Sequence, residues 1–572
     1  MSPVKPLVAL LVALVALGLG ACGGGGGKKP AARPPTAGHR VATGTFGSAP
    51  QERSAGFSPD YRPTGRIIAD DGFRATHDGF SFSNYGGESG AVDLTPAALE
   101  ELFGPDVCST GVGSSCLLTP VAEHALEQFN GAMNAGHCYG FSVVALRLFK
   151  HIVDPTVFGA STVPALNIQG NDLLQTAIAE AFISQVFPRV VQARIVESPN
   201  QILNRLISAL KAKVEVYTLG IYRDVYKNVG HAITPYAVED KGGGRFALLT
   251  YDNNHPLITR AVMFDRNTNS WSYDAASNPN DTTWHFAGDA STMTMSIDPL
   301  TPGLGPQACF FCGSSNPTGA PEAPGSGRPK KALQQITLEG DPSNHSHLLI
   351  TDPQGRRTGF VNGKLVSEIP GSKAIVPFAD QVWRVAPEPI YQLPAGVPVK
   401  VAVAGARLAR PVVENVSLVA PGASAVVKGI KVGPGQSASV TFGRGAASVQ
   451  YHAGNLTGAA PIVQLGRETS GPDFSVSVHA PVLRGGSTLK VALDASGKRV
   501  MVATPKGAPA TGYGLSLSKF TPLGKQGFAH GGLKLPPGSS SQLKLRGFTR
   551  AGQALPFATK SAGRSHTTKL SG

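Results

Sequence analysis

The chain has 572 residues, of which 41 % are hydrophobic and 15 % are charged, with 69 glycines and 45 prolines. That length is enough for three or four domains, and the hydrophobic content allows sizeable cores. Low charge with many turn-forming residues favours β-rich modules and argues against a protein built of long helices. The net charge of +14 is uneven, because residues 321–572 hold 29 Lys and Arg against 11 Asp and Glu.

The N-terminus has the pattern of an export signal. Lys5 precedes an apolar run over residues 6–19, which is short for a membrane span and typical of the hydrophobic part of a signal peptide. The run ends in Leu-Gly-Ala-Cys at 19–22, which resembles the lipobox of bacterial lipoproteins. In that family the cysteine is acylated and the chain is cut just before it. The resemblance implies a signal peptide over 1–21 and an extracytoplasmic protein anchored to the cell membrane by a lipid on Cys22; the alternative is an ordinary secretory signal.

A tether is expected after the anchor, over residues 22–63. Five glycines follow Cys22 directly, and the next residues are polar and rich in proline. Such a composition stays extended and flexible, and it would hold a globular part clear of the bilayer. The sequence shows no second long apolar segment, so we expect the remainder to be soluble.

Residues 64–300 change their hydrophobic period midway. The first part repeats apolar residues at helical spacing, and the second alternates them with a period of two, as antiparallel strands do. Helices followed by an antiparallel meander predict an α+β fold. The predicted helices are 97–103, 120–133, 138–152, 172–187 and 199–212, and the predicted strands are 216–222, 231–238, 245–251, 259–264 and 270–273.

The remainder of the chain is predicted to be all-β. Residues 301–331 are rich in Pro, Gly and Ser and are interpreted as a linker. Short alternating strands with Gly and Pro punctuation follow, which predicts sandwich-like modules. We divide them into a β-rich part over 332–466 and a basic β-rich part over 467–572, and we find no clear sequence repeat.

The cysteines divide into pairs and one exception. Cys108 and Cys116 lie in a Gly/Ser-rich loop, and Cys309 and Cys312 form a CxxC motif. In an oxidising compartment each pair is most simply a local disulfide. A zinc site at the CxxC motif would need two further ligands that no near neighbour offers, so we expect no metal. Cys138 is left unpaired.

The segment around Cys138 reads NAGHCYGFS over 134–142, and a helical pattern begins at the cysteine. A thiol at a helix N-terminus experiences the positive end of the helix dipole, which favours the nucleophilic thiolate. The alternative is a small core residue. The neighbouring His137 is disfavoured as its base, because adjacent side chains at a helix start diverge by about 100°.

Two later residues complete a catalytic pattern. His231 begins an apolar strand in GHAITPY (230–236), and Asp252 ends the next strand in LTYDNN (249–254). Neighbouring antiparallel strands would place Asp252 beside the imidazole, with Asn253 as the alternative orienting group. A thiol, a base and an orienting carboxylate or amide are the groups that covalent acyl chemistry needs.

This order resembles the papain-like cysteine peptidase superfamily, and within it the bacterial branch that includes the bacteriocin-processing peptidases. The resemblance covers about 103–275 and implies a papain-like domain over 64–300. It implies that Cys138 is the nucleophile, His231 the general base and then acid, and Asp252 or Asn253 the orienting group. The superfamily usually has an oxyanion-hole Gln shortly before the cysteine.

This sequence has no Gln shortly before Cys138. Asn134 and Asn130 are the nearest side-chain amides, and they are the candidate oxyanion donors.

The expected function is therefore a lipid-anchored hydrolase of peptide or amide bonds that works through a thioester and uses no cofactor. Two alternatives remain open: an acyl transferase of the transglutaminase kind with the same triad, and a non-catalytic binding lipoprotein that retains the fold. The basic C-terminal region would attract anionic cell-envelope polymer or lipid. No nucleic-acid partner is expected outside the cytoplasm, and simple solubility is the alternative explanation of the charge.

Overall fold

The structure, a computed structural model, describes residues 60–134, 136–223, 229–275, 284–313, 332–341, 344–378, 388–456, 458–494, 496–545, 548 and 553–571. The predicted signal peptide, the lipidation site at Cys22 and all but the end of the tether lie outside these residues. None of the described helices combines the length and apolarity that crossing a membrane requires.

The helices of the described part fall before the main strands, as the hydrophobic periods predict. Pro96 and Pro120 stand at the first turns of two of them, and the side chains of Thr95 and Thr119 accept a backbone N–H at their N-termini. The helices are α1 (Ala75–Asp78), α2 (Pro96–Phe103), α3 (Pro120–Met133), α4 (Cys138–Phe149), α5 (Asp172–Ile183), α6 (Pro188–Ala193) and α7 (Pro199–Ala212).

An antiparallel meander forms the sheet of the first half, which we call the site sheet. Its strand order is β10-β9-β8-β7-β6-β5-β11-β4, and β1 also pairs with β6. Its strands are β1 (Arg66–Asp70), β4 (Ile195–Val196), β5 (Tyr217–Tyr222), β6 (Gly230–Gly242), β7 (Arg245–Tyr251), β8 (Thr259–Asp265), β9 (Ser270–Ala275), β10 (Trp284–Asp289) and β11 (Met295–Pro299). A separate pair, β2 (Cys108–Thr110) and β3 (Leu117–Leu118), carries the first disulfide.

The second half consists of two antiparallel sheets that enclose one continuous apolar core. The nine-stranded inner sheet contains β12 (Leu333–Glu339), β16 (Lys373–Ile375), β17 (Ile390–Pro394), β19 (Val412–Ala420), β20 (Ala423–Val432), β23 (Ile462–Arg467), β24 (Asp473–His479), β27 (Tyr513–Thr521) and β28 (Gly524–Leu533). The eleven-stranded outer sheet contains β13 (His347–Thr351), β14 (Arg357–Val361), β15 (Lys364–Ser367), β18 (Val399–Ala404), β21 (Ser437–Phe442), β22 (Ser448–His452), β25 (Thr488–Leu493), β26 (Arg499–Ala503), β29 (Ser540–Lys544), β30 (Leu555–Ser561) and β31 (Arg564–Leu570).

A structural repeat runs through this sandwich, although the sequence showed none clearly. Consecutive hairpins alternate between the sheets: β19–β20, β23–β24 and β27–β28 lie in the inner sheet, and β21–β22, β25–β26 and β29–β30 lie in the outer one. A glycine with positive φ precedes β21, β25 and β29 in turn, at intervals of about 50 residues; these are Gly435, Gly486 and Gly538. Adjacent strands β23 and β24 pair across the predicted module boundary at 466/467.

Helix α3 joins the two halves. On the side facing the inner sheet, the His124 ring lies 2.7 Å from the Ser424 hydroxyl, and the Gln128 amide donates to the Ser417 hydroxyl at 2.9 Å. The segment interpreted as a linker divides in two. Residues 301–313 pack into the apolar core of the first half, where Phe311 is fully buried. Residues 314–331 lie outside the described residues.

Candidate functional site

Cys138 is the first residue of α4 and its side chain is fully buried. The chain turns sharply before it, because Gly136 adopts a φ of 113°, which glycine tolerates best. Gly140, one turn later, faces α5 so closely that a Cβ atom there would collide with the carbonyl oxygen of Ile178. These two glycines therefore fix where the helix begins and how closely it packs.

His231 and Asp252 form a buried pair on the adjacent site sheet. Nε2 of His231, near the start of β6, lies 2.7 Å from Oδ1 of Asp252, which directly follows β7. The Tyr273 hydroxyl donates to the other carboxylate oxygen at 2.5 Å. Burial by itself would raise the pKa of Asp252, but the nearby His231 and His255 and the two hydrogen bonds outweigh it and hold the pKa below its ordinary value.

Asn253 joins the helix of Cys138 to the strand of His231. Its side-chain nitrogen donates to the carbonyl oxygens of Cys138, at 3.1 Å, and Ala232, at 2.8 Å. The Ser142 hydroxyl makes a second link from α4, donating to the same Ala232 oxygen at 3.2 Å. Asp252 contacts the imidazole, whereas Asn253 binds the two backbones.

The Cys138 thiol is covered by a segment from the second half of the chain. It donates to the carbonyl oxygen of Phe378 at 3.2 Å, and Phe378 is itself buried. Phe378 lies three residues after the short inner-sheet strand β16. This contact joins residues 240 positions apart and could not be predicted from any local pattern.

The other candidates near Cys138 are engaged elsewhere. Both ring nitrogens of His137 lie near acceptors, Nδ1 at 2.8 Å from the Tyr85 carbonyl oxygen and Nε2 at 2.9 Å from Asp93. The Asn130 side chain makes two hydrogen bonds with the backbone of Leu94.

Asn134 is exposed, and its side-chain oxygen lies against Gly87. The contacts of these two asparagines, the predicted oxyanion donors, are thus with the 87–94 segment.

The paired cysteines are Cys108 with Cys116 and Cys309 with Cys312, and Cys138 belongs to neither disulfide. The sequence showed no cluster of residues with metal-ligand spacing. The fold nevertheless gathers His345, His347 and Glu388, whose potential ligand atoms lie within 4.8 Å of one another. The available signal was the spacing of the two histidines, because residues two apart on an extended chain share a face. Imidazole and carboxylate groups of this kind can hold a transition metal.

Comparisons with protein-family models, with curated proteins and with solved structures found no match to this chain.

Proposed function

We propose that this protein is an extracytoplasmic cysteine hydrolase of peptide or amide bonds, with Cys138 as nucleophile, His231 as general base and then acid, and Asp252 as the orienting group. One observation carries the proposal. The buried His231–Asp252 pair has its histidine on β6, the strand that Asn253 ties directly to the helix start bearing Cys138. An imidazole held by a carboxylate is the base that activates a cysteine thiol when the two come within hydrogen-bond reach.

The chemistry follows from the hydrogen bonds. Since Nε2 of His231 is bonded to Asp252, its proton transfer uses Nδ1. The thiol gives its proton to that nitrogen, and the sulfur attacks the substrate carbonyl carbon. As the amide C–N bond breaks, the leaving nitrogen takes the proton from the imidazolium and a thioester remains. Water then adds to the thioester carbonyl, which releases a carboxylic acid and restores the thiol. An amine in place of water would make the same site an acyl transferase.

A non-catalytic binding protein is the second candidate, and a specific observation favours it. The thiol is fully buried and hydrogen-bonded to the chain's own Phe378, as an inert structural cysteine would be. The two candidates differ in how reactive the sulfur is.

Alkylation of Cys138 by iodoacetamide, followed by peptide mass mapping between pH 5 and 9, separates these candidates. A thiolate–imidazolium pair reacts well below the ordinary thiol pKa of about 8.5. We expect His231→Ala to slow the reaction at pH 7 by about tenfold or more. The matched control is His285→Ala, an exposed histidine on β10. Equal rates in wild type and His231→Ala would favour the binding protein.

Anchoring through a lipid on Cys22 is part of the same proposal and rests on the sequence alone. The test is detergent partitioning of the full-length protein expressed in a bacterium. Wild type should enter the detergent phase, and Cys22→Ser should be released or remain uncleaved. Wild type recovered in the aqueous phase would contradict the anchor.

A further inference from the structure

We propose that Phe378 occupies the acyl-side specificity pocket of this site, so that the enzyme selects polypeptides with a large aromatic residue immediately before the bond it cleaves. This inference rests on the proposed function. Its starting point is the contact of the Phe378 carbonyl oxygen with the Cys138 thiol at 3.2 Å. A substrate residue whose carbonyl group lies against the nucleophile is the one that donates its acyl group to it.

The main chain of this segment is held as a peptide would be. The backbone N–H of Phe378 donates to Oε1 of Gln185 at 2.7 Å, and the Tyr222 hydroxyl donates to the carbonyl oxygen of Val376 at 2.9 Å. The Gln185 amide is oriented for this role, because its nitrogen donates to the carbonyl oxygen of Phe182 at 3.0 Å. Contacts to backbone groups recognise an extended peptide whatever its sequence. They favour a polypeptide over a small amide as substrate.

The Phe378 ring fills a pocket built for an aromatic group. The ring centroids of Tyr222 and Tyr139 lie 4.9 and 6.0 Å from it. The Arg194 guanidinium lies 5.1 Å from its centroid, and two hydrogen bonds to Asp298 hold that guanidinium in place. Ring stacking and a cation over a π face both favour an aromatic occupant.

Gly220 sets the depth of the pocket. It lies on β5 beneath the end of the ring, and a Cβ atom built there would collide with Cζ of Phe378. Only a glycine at this position leaves room for a six-membered ring. A larger residue would restrict the pocket to short side chains, so Gly220 is a specificity-determining residue.

The test uses the full chain and three chloromethyl ketones, N-acetyl-Ala-Ala-Xaa, with Phe, Ala or Asp next to the ketone. The rate at which each modifies Cys138 is measured by mass spectrometry. We expect the Phe probe to react about tenfold faster than the Ala probe, and the Asp probe to be slowest. Gly220→Ala should remove the preference for Phe over Ala. Gly527→Ala is the matched control, because a Cβ atom there meets nothing within 4 Å.

Phe378→Ala provides a second variant that does not depend on Gly220. It empties the pocket, so the Phe probe should react several-fold faster than with wild type. Equal rates for the three probes, or a Phe378→Ala variant no faster than wild type, would overturn the specificity. If iodoacetamide still shows His231-dependent alkylation, the proposed hydrolase survives that result. Loss of the His231 dependence would instead remove the proposed function itself.

Discussion

Nε2 of His231 lies 2.7 Å from Oδ1 of Asp252, and neither side chain is more than 1 % exposed. A carboxylate so placed keeps the imidazole in one tautomer and stabilises its protonated form. The other carboxylate oxygen of Asp252 accepts a hydrogen bond from the Tyr273 hydroxyl, so contacts at both oxygens fix the orientation of the carboxylate. The fold itself therefore holds the two side chains in this arrangement.

The first prediction concerns the order in which activity is lost on a cleaved peptide substrate. Cys138→Ala should abolish turnover, because it removes the sulfur that attacks the substrate carbonyl carbon. His231→Ala should lower kcat by about 10²–10⁴-fold. Asp252→Asn should lower it less, because this residue orients the imidazole and does not react. Full activity in Cys138→Ala would contradict the mechanism.

The second prediction concerns Asn253. Removing its amide in Asn253→Ala leaves the carbonyl oxygens of Cys138 and Ala232 without that donor, so the free energy of unfolding should fall by about 2 kcal/mol. Asn253→Asp should be at least as damaging, because a carboxylate would face two carbonyl oxygens. Urea denaturation of both variants measures this, and an unchanged Asn253→Asp protein would refute it.

A third prediction counts thiols. Denatured but unreduced Cys22→Ser protein should contain one free thiol per chain, at Cys138, because the remaining four cysteines are paired in disulfides. Adding Cys138→Ala to the same protein should bring the count to zero. Three thiols in Cys22→Ser would mean that one of the disulfides does not form.

The fourth prediction concerns pH and Glu468. This residue accepts hydrogen bonds from Thr119, at 2.8 Å, and from the backbone N–H of Gly313, at 2.6 Å, where α3 and the 301–313 segment meet the inner sheet. Burial, and to a lesser extent the charge of Asp473, raises its pKa to about 8. Between pH 4.5 and 8 the folded state therefore binds a proton that the unfolded state does not bind, and stability from this group falls as pH rises.

Thermal midpoints measured from pH 5 to 8 test this. Glu468→Gln resembles the protonated acid, so it should flatten the decline by a few degrees relative to wild type. The exposed Asp172→Asn variant is the control and should leave the slope unchanged. A Glu468→Gln profile parallel to that of wild type would show that this carboxyl does not titrate in the range.

The fifth prediction concerns the basic second half. Lys400, Lys490 and Lys560 are exposed and lie in one cross-strand row of the outer sheet, separated by uncharged Thr, Gln, Ala and Ser positions. Binding of the protein to a teichoic-acid-type polyphosphate should weaken steeply with salt, because it depends on neutralising charge. Replacing all three lysines by Gln should lower both the affinity and its salt dependence.

The matched control replaces three exposed basic residues of the first half, Arg62, Arg66 and Lys211, by Gln. Equal losses in the two triple variants would mean that total charge, and not the outer sheet, governs binding. Absence of binding at low salt would leave solubility as the role of the basic residues.

Local signals explain why much of this architecture could be predicted. Thr95-Pro96 and Thr119-Pro120 mark the starts of two helices. The glycine turn between β6 and β7 pairs these strands, so that the start of β6, with His231, and the end of β7, before Asp252, lie at the same end of the site sheet. The predicted helix over 138–152 is shorter in the structure and ends at Phe149, because His151 adopts a φ of 53°.

Long-range packing explains what the sequence could not predict. No local pattern marks Phe378 as the residue that covers the thiol, because the contact depends on how the inner sheet meets the first half. The sandwich repeat was missed for a similar reason. Its strands share only an alternation of apolar residues, which any half-buried strand has. The turn glycine that recurs is one residue in each repeat, and it does not stand out in a chain with 69 glycines.

Because hairpins alternate between the two sheets, the sandwich can change its length by one pair of hairpins at a time, one hairpin in each sheet. Excising residues 462–512 would remove one hairpin from each sheet, after which β27 could pair with β20 and β29 with β22. Both sheets would stay continuous, because every pairing in this region is antiparallel. The sandwich can therefore be lengthened or shortened in steps of about 50 residues, whereas an insertion of any other size must bulge from the loops.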